Sequence, residues 1–317
     1  MREKILEMLK NSEDYVSGEE MSGRLGITRA AVWKHIKALR SEGYEIESVR
    51  NRGYRLKCVS DELSPERISE MLDTKYMGRK LVCSDTVDST NEEAKRNSDM
   101  PEGTLFIAER QTLGKGRRGR AWESPRGSGI WMSVLLKPDI PVETVSEITL
   151  AAGLAVARAA GGALIKWPND VVIGTKKLSG ILTEMAAETD RIEYVICGIG
   201  INVNNETFPS ELSEKATSLF IETGERHDRS ALAARVMNEF EPLYERLAAG
   251  GFSAIRQEYE KLCVTLGRQV VVSRPGREFS GKAIGMRDNG ALVVETEDGT
   301  ADVASGEVSV RGMYGYV

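Results

Sequence analysis

The stretch ALIKWPNDVVIGTKKLSGILTEMAAETDRIEYVICGIGINV, residues 163–203, places apolar segments between short turn-forming segments. Four strands are predicted in this stretch, over residues 163–167, 171–173, 177–185 and 192–203. The connection Pro168-Asn169-Asp170 is typical of a turn, and it is short enough for the strands on either side to pair. The stretch therefore predicts a β-meander.

Two segments offer candidate ligand contacts. Gly198 and Gly200 alternate along the last strand, which leaves one strand face bare, so that a flat ligand could lie against the backbone. A β-bulge is the alternative interpretation of these glycines. Asp88-Ser89-Thr90-Asn91 places two hydroxyls and an amide before a helix predicted over residues 92–96. In the alternative interpretation, Ser or Thr there is simply the N-cap of that helix.

A basic glycine-rich segment, QTLGKGRRGR over residues 111–120, follows a strand predicted over residues 104–110. Residues 114–119 formally match G-x-G-x-x-G, but the next segment, AWESPRGSG, cannot be the helix that a dinucleotide-binding loop requires. No Gly-Lys-Ser or Gly-Lys-Thr ends the run, which excludes a Walker A loop. Backbone N–H groups and cations favour a phosphate-bearing ligand, and a solvated basic loop is the alternative. The cations are Lys115, Arg117, Arg118 and Arg120.

Charge is unevenly distributed along the chain. The 317 residues are 41% hydrophobic, enough for two or three domains with buried cores, and carry a net charge of −5. Residues 1–60 hold 12 Lys and Arg against 9 Asp and Glu, whereas the remainder holds 31 against 39. A small basic head on an acidic body fits a DNA-binding module joined to another domain.

The number and spacing of the cysteines and histidines, and the length of the apolar runs, argue against several classes of protein. The four cysteines lie far apart without a C-x-x-C motif, and only two histidines are present, so we expect neither a disulfide framework, a zinc site nor a histidine base. The N-terminal MREKILEMLK lacks the apolar core of a signal peptide. The longest apolar run, residues 150–165, is mostly Ala and Gly and predicts a core helix. We therefore expect a cytoplasmic protein that does not enter a membrane.

The first forty residues predict a helix-turn-helix. Residues 3–10 have helically spaced apolar side chains. Ser17 and Glu20 fit the capping box of a second helix, which ends at Gly26. A third helix is predicted over residues 29–41. Its core face is predicted to hold Val32, Ile36 and Leu39.

The outer face of the third helix is a candidate DNA-binding surface. Its exposed side chains are predicted to be Thr28, which also caps the helix, Arg29, Trp33, Lys34 and Lys37. Strands predicted over residues 44–49 and 54–57 form a hairpin with a basic tip that holds Arg50 and Arg52, as in the wing of a winged helix. A small helical subdomain with a solvated basic face is the alternative. Residues 60–65 are predicted to be a linker.

The C-terminal part predicts helices followed by a small all-β domain. Helices are predicted over residues 228–249, with a kink at Pro242, and over residues 252–262. Residues 268–311 combine short β-branched runs with tight-turn segments such as Asp288-Asn289-Gly290, which is an all-β pattern.

Five segments, in this order, resemble the signature set of biotin–protein ligases: residues 88–91, 114–119, 166–170, 177–182 and 198–203. With its N-terminal winged helix, the chain is similar over essentially its whole length to the bifunctional biotin ligases that are also biotin operon repressors. The resemblance implies an α+β multidomain fold. Its parts would be a winged helix-turn-helix DNA-binding domain over 1–62, a catalytic domain with a central mixed β-sheet and flanking helices over 63–265, and a small SH3-like β-barrel over 266–317.

The resemblance also implies the reaction. Biotin and ATP, the latter with Mg²⁺, would give biotinyl-5′-adenylate and pyrophosphate, and a lysine of a biotin carboxyl carrier protein would then attack the mixed anhydride. The metal would arrive with ATP, since no side-chain metal site is indicated. The implied partners are biotin, ATP, the carrier protein, operator DNA and a second copy of the chain in a ligand-induced homodimer.

Site residues are carried over from the resemblance position by position. The biotin head group would be held by Ser89, Thr90, Asn91 and Gln111. The biotin carboxylate and the adenylate phosphate would be held by Lys115, Gly116 and Arg117. Gly198 and Asn202 would also contact biotin or the adenylate, and Trp122 would pack over the adenine once the loop orders around the ligand.

Three residues would carry the chemistry: Arg117, Asp170 and Lys177. Lys177 would reach the reacting carbonyl and phosphate. Asp170 would orient or deprotonate the incoming lysine, or help to hold Mg²⁺, and the sequence leaves these roles open. The chain departs from the family at Lys115, where Arg is usual, so this contact becomes a point charge without the planar fork of a guanidinium.

Two other functions remain open at this point. A lipoate–protein ligase would share the catalytic fold, although the Lys166–Asp170 turn and the glycine loop favour biotin. A DNA-binding regulator could instead sense biotinyl-adenylate without modifying protein. The presence of Arg117, Asp170 and Lys177 argues against an inactive ligase.

Overall fold

The structure is a computed structural model that describes residues 1–10, 12, 14–41, 44, 46–49, 52–56, 63–188, 191–274, 277–305 and 309–312. Two compact units are present: one comprises residues 1–62 and 125–127, and the other comprises residues 63–124 and 128–317. No helix in the described ranges combines the length and the apolar character needed to cross a bilayer.

The smaller unit is a helix-turn-helix followed by a hairpin. Its elements are α1 (Arg2–Lys10), α2 (Gly18–Leu25), α3 (Arg29–Ser41), β1 (Ile46–Val49) and β2 (Gly53–Leu56). The predicted caps are present, because Ser17 Oγ accepts a hydrogen bond from Glu20 N and Thr28 Oγ1 accepts one from Ala31 N. The predicted core face of α3 is confirmed: Val32, Ile36 and Leu39 are buried against α1 and α2.

A seven-stranded mixed sheet forms the centre of the larger unit. Its strands are β3 (Leu81–Val87), β4 (Leu105–Gln111), β5 (Gly129–Leu136), β6 (Leu164–Lys166), β7 (Asp170–Ile173), β8 (Lys176–Glu188) and β9 (Arg191–Asn202). Their order is β3-β4-β5-β9-β8-β7-β6, in which β3 and β4 are parallel and the other pairs antiparallel. The predicted meander is thus confirmed as β6 to β9.

The helices of this unit are α4 (Pro65–Met71), α5 (Thr90–Arg96), α6 (Val145–Ala160), α7 (Leu219–Thr223), α8 (Arg229–Gly250) and α9 (Arg256–Leu262). α6 and α8 pack on one face of the sheet, and α5 packs on the other. Ile107 and Phe106 are neighbours on β4, and they are buried in two different hydrophobic clusters, one on each face. The side chains of Cys197, Ile199 and Ile201 belong to the α6 face. Gly198 and Gly200 therefore face the α5 side.

Two local expectations were wrong. Residues 150–165 are not one helix, because α6 ends at Ala160 and the run continues into β6 after two glycines. Residues 252–262 divide into a 3₁₀ turn and α9. Helix α8 continues through Pro242 as a single element, and a kink there stays a prediction. In each case apolar content predicted burial correctly, whereas the element boundary depended on glycines or on tertiary packing.

The C-terminal part of this unit is a five-stranded antiparallel sheet. Its strands are β10 (Gln269–Arg274), β11 (Arg277–Met286), β12 (Leu292–Thr296), β13 (Gly299–Val303) and β14 (Ser309–Gly312), in the order β13-β12-β11-β10-β14. The buried indole of Trp167 donates a hydrogen bond to the Gly290 carbonyl at 3.1 Å. The turn between β6 and β7 is thereby tied to this sheet.

Candidate functional site

Glycines form the floor of a cavity on the α5 side of the large sheet. In the ladder, Gly198 lies between Ser133 of β5 and Leu182 of β8, and Gly200 lies between Trp131 and Gly180. The pairing is regular at both glycines, so the β-bulge interpretation is wrong. A side chain would not fit at either one, because a Cβ on Gly198 would lie 2.2 Å from Asn91 Oδ1 and one on Gly200 would lie 2.7 Å from the Trp122 ring.

The structure brings most of the sequence-predicted ligand residues together around this floor. One cavity of about 40 Å³ is lined by ten of them: Ser89, Thr90, Asn91, Gln111, Lys115, Gly116, Arg117, Trp122, Lys177 and Gly198. Asp170 and Asn202 instead line a neighbouring cavity of about 310 Å³, which shares Gly116, Arg117, Trp122 and Lys177 with the first. The two cavities are therefore adjoining parts of one site.

Hydrogen bonds between side chains order the α5 end of the cavity. Gln111 Oε1 accepts hydrogen bonds from the backbone N–H of Thr90 at 2.8 Å and from its hydroxyl at 3.1 Å. Ser133 Oγ donates to Asn91 Oδ1 at 2.6 Å and lies 2.7 Å from Thr90 Oγ1. Ser89 occupies the N-cap position of α5 but makes no capping hydrogen bond with its side chain. The hydroxyl groups of Thr90 and Ser133 and the amide of Asn91 are thus held by hydrogen bonds and are almost fully buried.

Hydrogen bonds and an ion pair within the chain define the path of the glycine loop. Gly116 N donates to the Arg120 carbonyl at 2.7 Å, and Trp122 N donates to the Gly114 carbonyl at 2.9 Å. Lys115 Nζ lies 2.6 Å from Glu92 Oε1. We expected ligand contacts to be needed to order this loop because its own residues offer little apolar anchorage. Polar contacts to other segments replace the missing apolar ones, and the ordering of the loop by a ligand stays a prediction.

Arg117 is the most enclosed cation of the loop. Its guanidinium donates to Asn169 Oδ1 at 2.7 Å and to the Ser305 carbonyl at 2.9 Å. Burial lowers the pKa of Arg117, and Asp170 opposes this effect. A guanidinium is such a weak acid that Arg117 stays a cation despite this lowering. Because the side chain is already partly buried, an anionic ligand need not strip all of its water on binding.

Lys177 and Asp170 form an ion pair at the junction of the two cavities. Their Nζ and Oδ1 atoms lie 2.5 Å apart, and both side chains are largely buried. The register of β7 and β8 places them together, since Lys177 pairs with Val172, two residues beyond Asp170. Lys177 Nζ also lies 5.1 Å from the Trp122 ring centroid, within cation–π range.

Trp122 lies across the glycine floor. Its ring approaches the backbone at Gly180 and Gly200 and meets the ring of Trp131 edge to face, with centroids 6.4 Å apart. Its indole N–H is buried and has no hydrogen-bond partner among the residues that the structure describes. The role of Trp122 toward adenine stays a prediction, and so do the roles of the other site residues.

Sequence analysis missed four side chains of the site: Glu92, Ser133, Asn169 and Glu184. Ser133 is a lone hydroxyl in the apolar strand GIWMSVLL, and this exception to the pattern was a usable signal. Glu92 and Glu184 carried no such signal, because their partners Lys115 and Asn91 are brought to them only by the fold. In the described ranges no cluster of three or more His, Cys, Asp and Glu side chains could hold a metal ion.

The smaller unit presents the predicted DNA-binding face. Thr28, Arg29, Trp33, Lys34 and Lys37 are all exposed on or beside α3, and Lys37 Nζ lies 5.5 Å from the Trp33 ring centroid. Arg52 is exposed at the hairpin, whereas Arg50 lies outside the described residues. Their contacts with DNA stay a prediction.

Known proteins match nearly the whole length of the chain. Residues 1–55 match an HTH domain, residues 82–202 the biotin/lipoate A/B protein ligase family, and residues 265–311 the biotin protein ligase C terminal domain. The bifunctional ligase/repressor BirA of Bacillus subtilis is 41% identical over 320 residues, covering 98% of each chain. BirA of Escherichia coli is 30% identical over 314 residues, covering 97% of this chain and 96% of the relative.

Among solved structures, the biotin protein ligase of Aquifex aeolicus in complex with biotin and ATP superposes with a TM-score of 0.67 and 32% identity. It covers 74% of this chain, and 99% of the Aquifex chain is matched. The chain therefore belongs to the biotin/lipoate A/B protein ligase family, in the bifunctional ligase/repressor form that has an N-terminal helix-turn-helix domain.

Proposed function

We propose that this chain activates biotin with ATP and transfers it to a lysine of a biotin carboxyl carrier domain. The observation that carries the proposal is the polarity of one site, with neutral hydrogen-bonding groups at the α5 end and the cations Arg117 and Lys177 at the junction with the neighbouring cavity. An uncharged polar ring fits the α5 end, and a carboxylate beside a phosphate fits the junction of the two cavities.

In the first step, a biotin carboxylate oxygen attacks the α-phosphorus of ATP and pyrophosphate leaves. Two anions must approach each other, so the cations of the site lower the barrier by neutralising charge that accumulates in the transition state. Arg117 and Lys177 suit this role because other protein groups already hold them at the junction of the two cavities. Mg²⁺ bound with ATP would neutralise the pyrophosphate that leaves.

In the second step, the amine of the acceptor lysine attacks the acyl carbon and AMP leaves. The amine must be neutral to attack, and the carboxylate of Asp170 would accept its proton or orient it. The ion pair with Lys177 keeps Asp170 at the junction of the two cavities. Holding Mg²⁺ is the other role open to Asp170, and a metal titration of Asp170→Asn would separate the two.

Lipoate is the rival substrate, because the family includes both kinds of ligase. Its dithiolane ring has no N–H donor to offer to the acceptor oxygens of Thr90, Asn91 and Ser133. Parallel ATP–pyrophosphate exchange assays with each acid decide between them. We expect exchange with biotin only, and exchange with lipoate alone would contradict the proposal.

We further propose that the chain is a biotin-responsive repressor. The exposed basic face of α3 supports DNA binding, and a dimer would present two such helices to a two-fold-symmetric site. We expect sedimentation to show dimerisation with biotin plus ATP, and footprinting to show protection of DNA upstream of biotin genes. A loaded chain that stays monomeric and protects no DNA would contradict this role.

The domain boundaries proposed for this function are 1–62, 63–265 and 266–317. They predict that deleting residues 1–60 abolishes footprinting while the ligase activity remains. Loss of both functions together would contradict the first boundary.

A further inference from the structure

The side-chain amide of Asn91 is held in one orientation by its neighbours. Its Nδ2 donates to Glu184 Oε2 at 2.6 Å and to the Leu182 carbonyl at 3.3 Å. Its Oδ1 accepts from Ser133 Oγ at 2.6 Å. A flipped amide would place Oδ1 against a carboxylate and a carbonyl, neither of which can donate, so the observed orientation is the stable one.

This orientation fixes what Asn91 can offer a ligand. A primary amide has two hydrogens and two oxygen lone pairs, and the described neighbours use both hydrogens but only one lone pair. The oxygen also lies against the bare backbone of Gly198, on the floor of the cavity. Asn91 can therefore accept a hydrogen bond from a bound ring but cannot donate one.

Lys95 holds the carboxylate that sets this orientation. Its Nζ lies 2.7 Å from Glu184 Oε1, so that one carboxylate oxygen binds Lys95 and the other binds Asn91. Burial alone would lower the pKa of Lys95, but hydrogen bonds to Glu184 and Glu92 outweigh burial and raise it. Lys95 thus remains charged and holds the Glu184 carboxylate beside Asn91.

We propose that Glu184 and Lys95 are positioning residues that make the site selective for a ring with an N–H donor facing Asn91. The inference rests on the proposed function, in which that ring is the cyclic urea of biotin. Neither residue needs to touch the ring, because they act through the Asn91 amide. A ring with an oxygen in place of that N–H would face the Asn91 oxygen and be repelled.

The test is calorimetric titration with biotin and with the two cyclic carbamate analogues in which a ring oxygen replaces one or the other ureido N–H. We expect the wild-type chain to prefer biotin over at least one carbamate by on the order of 10- to 100-fold, the effect of an unmatched buried hydrogen bond. In Glu184→Ala the Asn91 amide can turn and donate to the ring oxygen, so the preference should fall to about threefold or less. Glu188→Ala, an exposed position on the same strand, is the control and should keep the preference.

A second pair of variants separates positioning from mere support of the fold. In Glu184→Gln, Lys95 would take the one amide oxygen and leave the new NH₂ group facing Asn91, so the preference should fall. Adding Lys95→Met frees that oxygen to accept from Asn91, and the preference should recover. A structural defect would not be repaired by a second substitution.

The outcomes distinguish the two proposals. If the wild type binds biotin and Glu184→Ala keeps the full preference, or the double variant fails to recover it, the positioning role is wrong and the proposed function stands. If the wild type does not bind biotin, both are wrong.

Discussion

Gly198→Ala places a methyl group where the structure has no room for one. The new Cβ would lie 2.2 Å from Asn91 Oδ1 and 2.9 Å from its Cγ, whereas ordinary contact begins near 3.4 Å. The amide must therefore retreat by about 1.2 Å. Hydrogen bonds of 2.6 Å to Glu184 and Ser133 would be stretched beyond hydrogen-bond length by such a movement.

The size of the effect follows from these contacts. A hydrogen bond to a charged group contributes about 1.5–3 kcal/mol to the stability of the arrangement it holds, and a neutral one contributes about 0.5–1.5 kcal/mol. Because both bonds are stretched, Asn91 loses these contributions and with them its fixed orientation. If Asn91 binds the biotin ring through its oxygen, biotin loses about 1–3 kcal/mol of binding free energy. The dissociation constant should rise roughly 5- to 150-fold.

Isothermal titration of Gly198→Ala with biotin measures this change. Gly285→Ala is the matched control, because Gly285 is also a strand residue and a Cβ there would meet nothing within 4 Å. Thermal unfolding of both variants checks that the sheet is intact. Wild-type affinity for biotin in a folded Gly198→Ala chain would refute the assignment of this floor to the biotin ring.

Three further predictions concern the chemistry and the stability of the larger unit. Lys177→Ala should slow adenylate formation on the order of 10²–10³-fold in single-turnover kinetics, and wild-type kinetics would exclude Lys177 from this step. Arg117→Gly should still form adenylate but release it, detected as free biotinyl-adenylate and labelling of bystander lysines; full retention would show that Arg117 and its loop do not hold the adenylate in the site. Hydrogen bonds from Arg246 and Arg158 lower the pKa of Glu258 to about 2, below its ordinary 4.5. The ionised carboxylate therefore stabilises the fold above pH 4.5 and ceases to do so as the pH falls toward 2. Glu258→Gln should lower the free energy of unfolding by roughly 1 kcal/mol at pH 7 and by little near pH 2, in urea titrations at both pH values; a pH-independent difference would contradict the ion-pair origin.

Local sequence patterns predicted much of the fold because the deciding signals lie within single elements. The caps at Ser17 and Thr28 and the apolar face of α3 are encoded within a few residues of each other. The four strands of the meander follow one another with short turns, so their pairing is also local. Strand β3, by contrast, pairs in parallel with β4 and was not predicted, since its partner gives no adjacent signal.

The candidate site was predictable in its residues but not in its internal contacts. In the sequence, Thr90 and Asn91 stand out as part of a motif. Gly198 stands out as an exception to a strand pattern. The polar chain from Lys95 through Glu184 to Asn91 depends on how α5 lies over β8, which no spacing along the sequence reveals. The same holds for Lys115 and Glu92, whose contact gives the loop an anchor that its own residues lack.

The central claim is that this site joins biotin to protein, and the most direct measurement is mass spectrometry of a biotin carboxyl carrier domain after incubation with the chain, biotin and ATP. We expect the carrier to gain one biotinyl group on a single lysine, only when both biotin and ATP are present. An unmodified carrier, under conditions in which the chain is folded and binds both ligands, would contradict the claim.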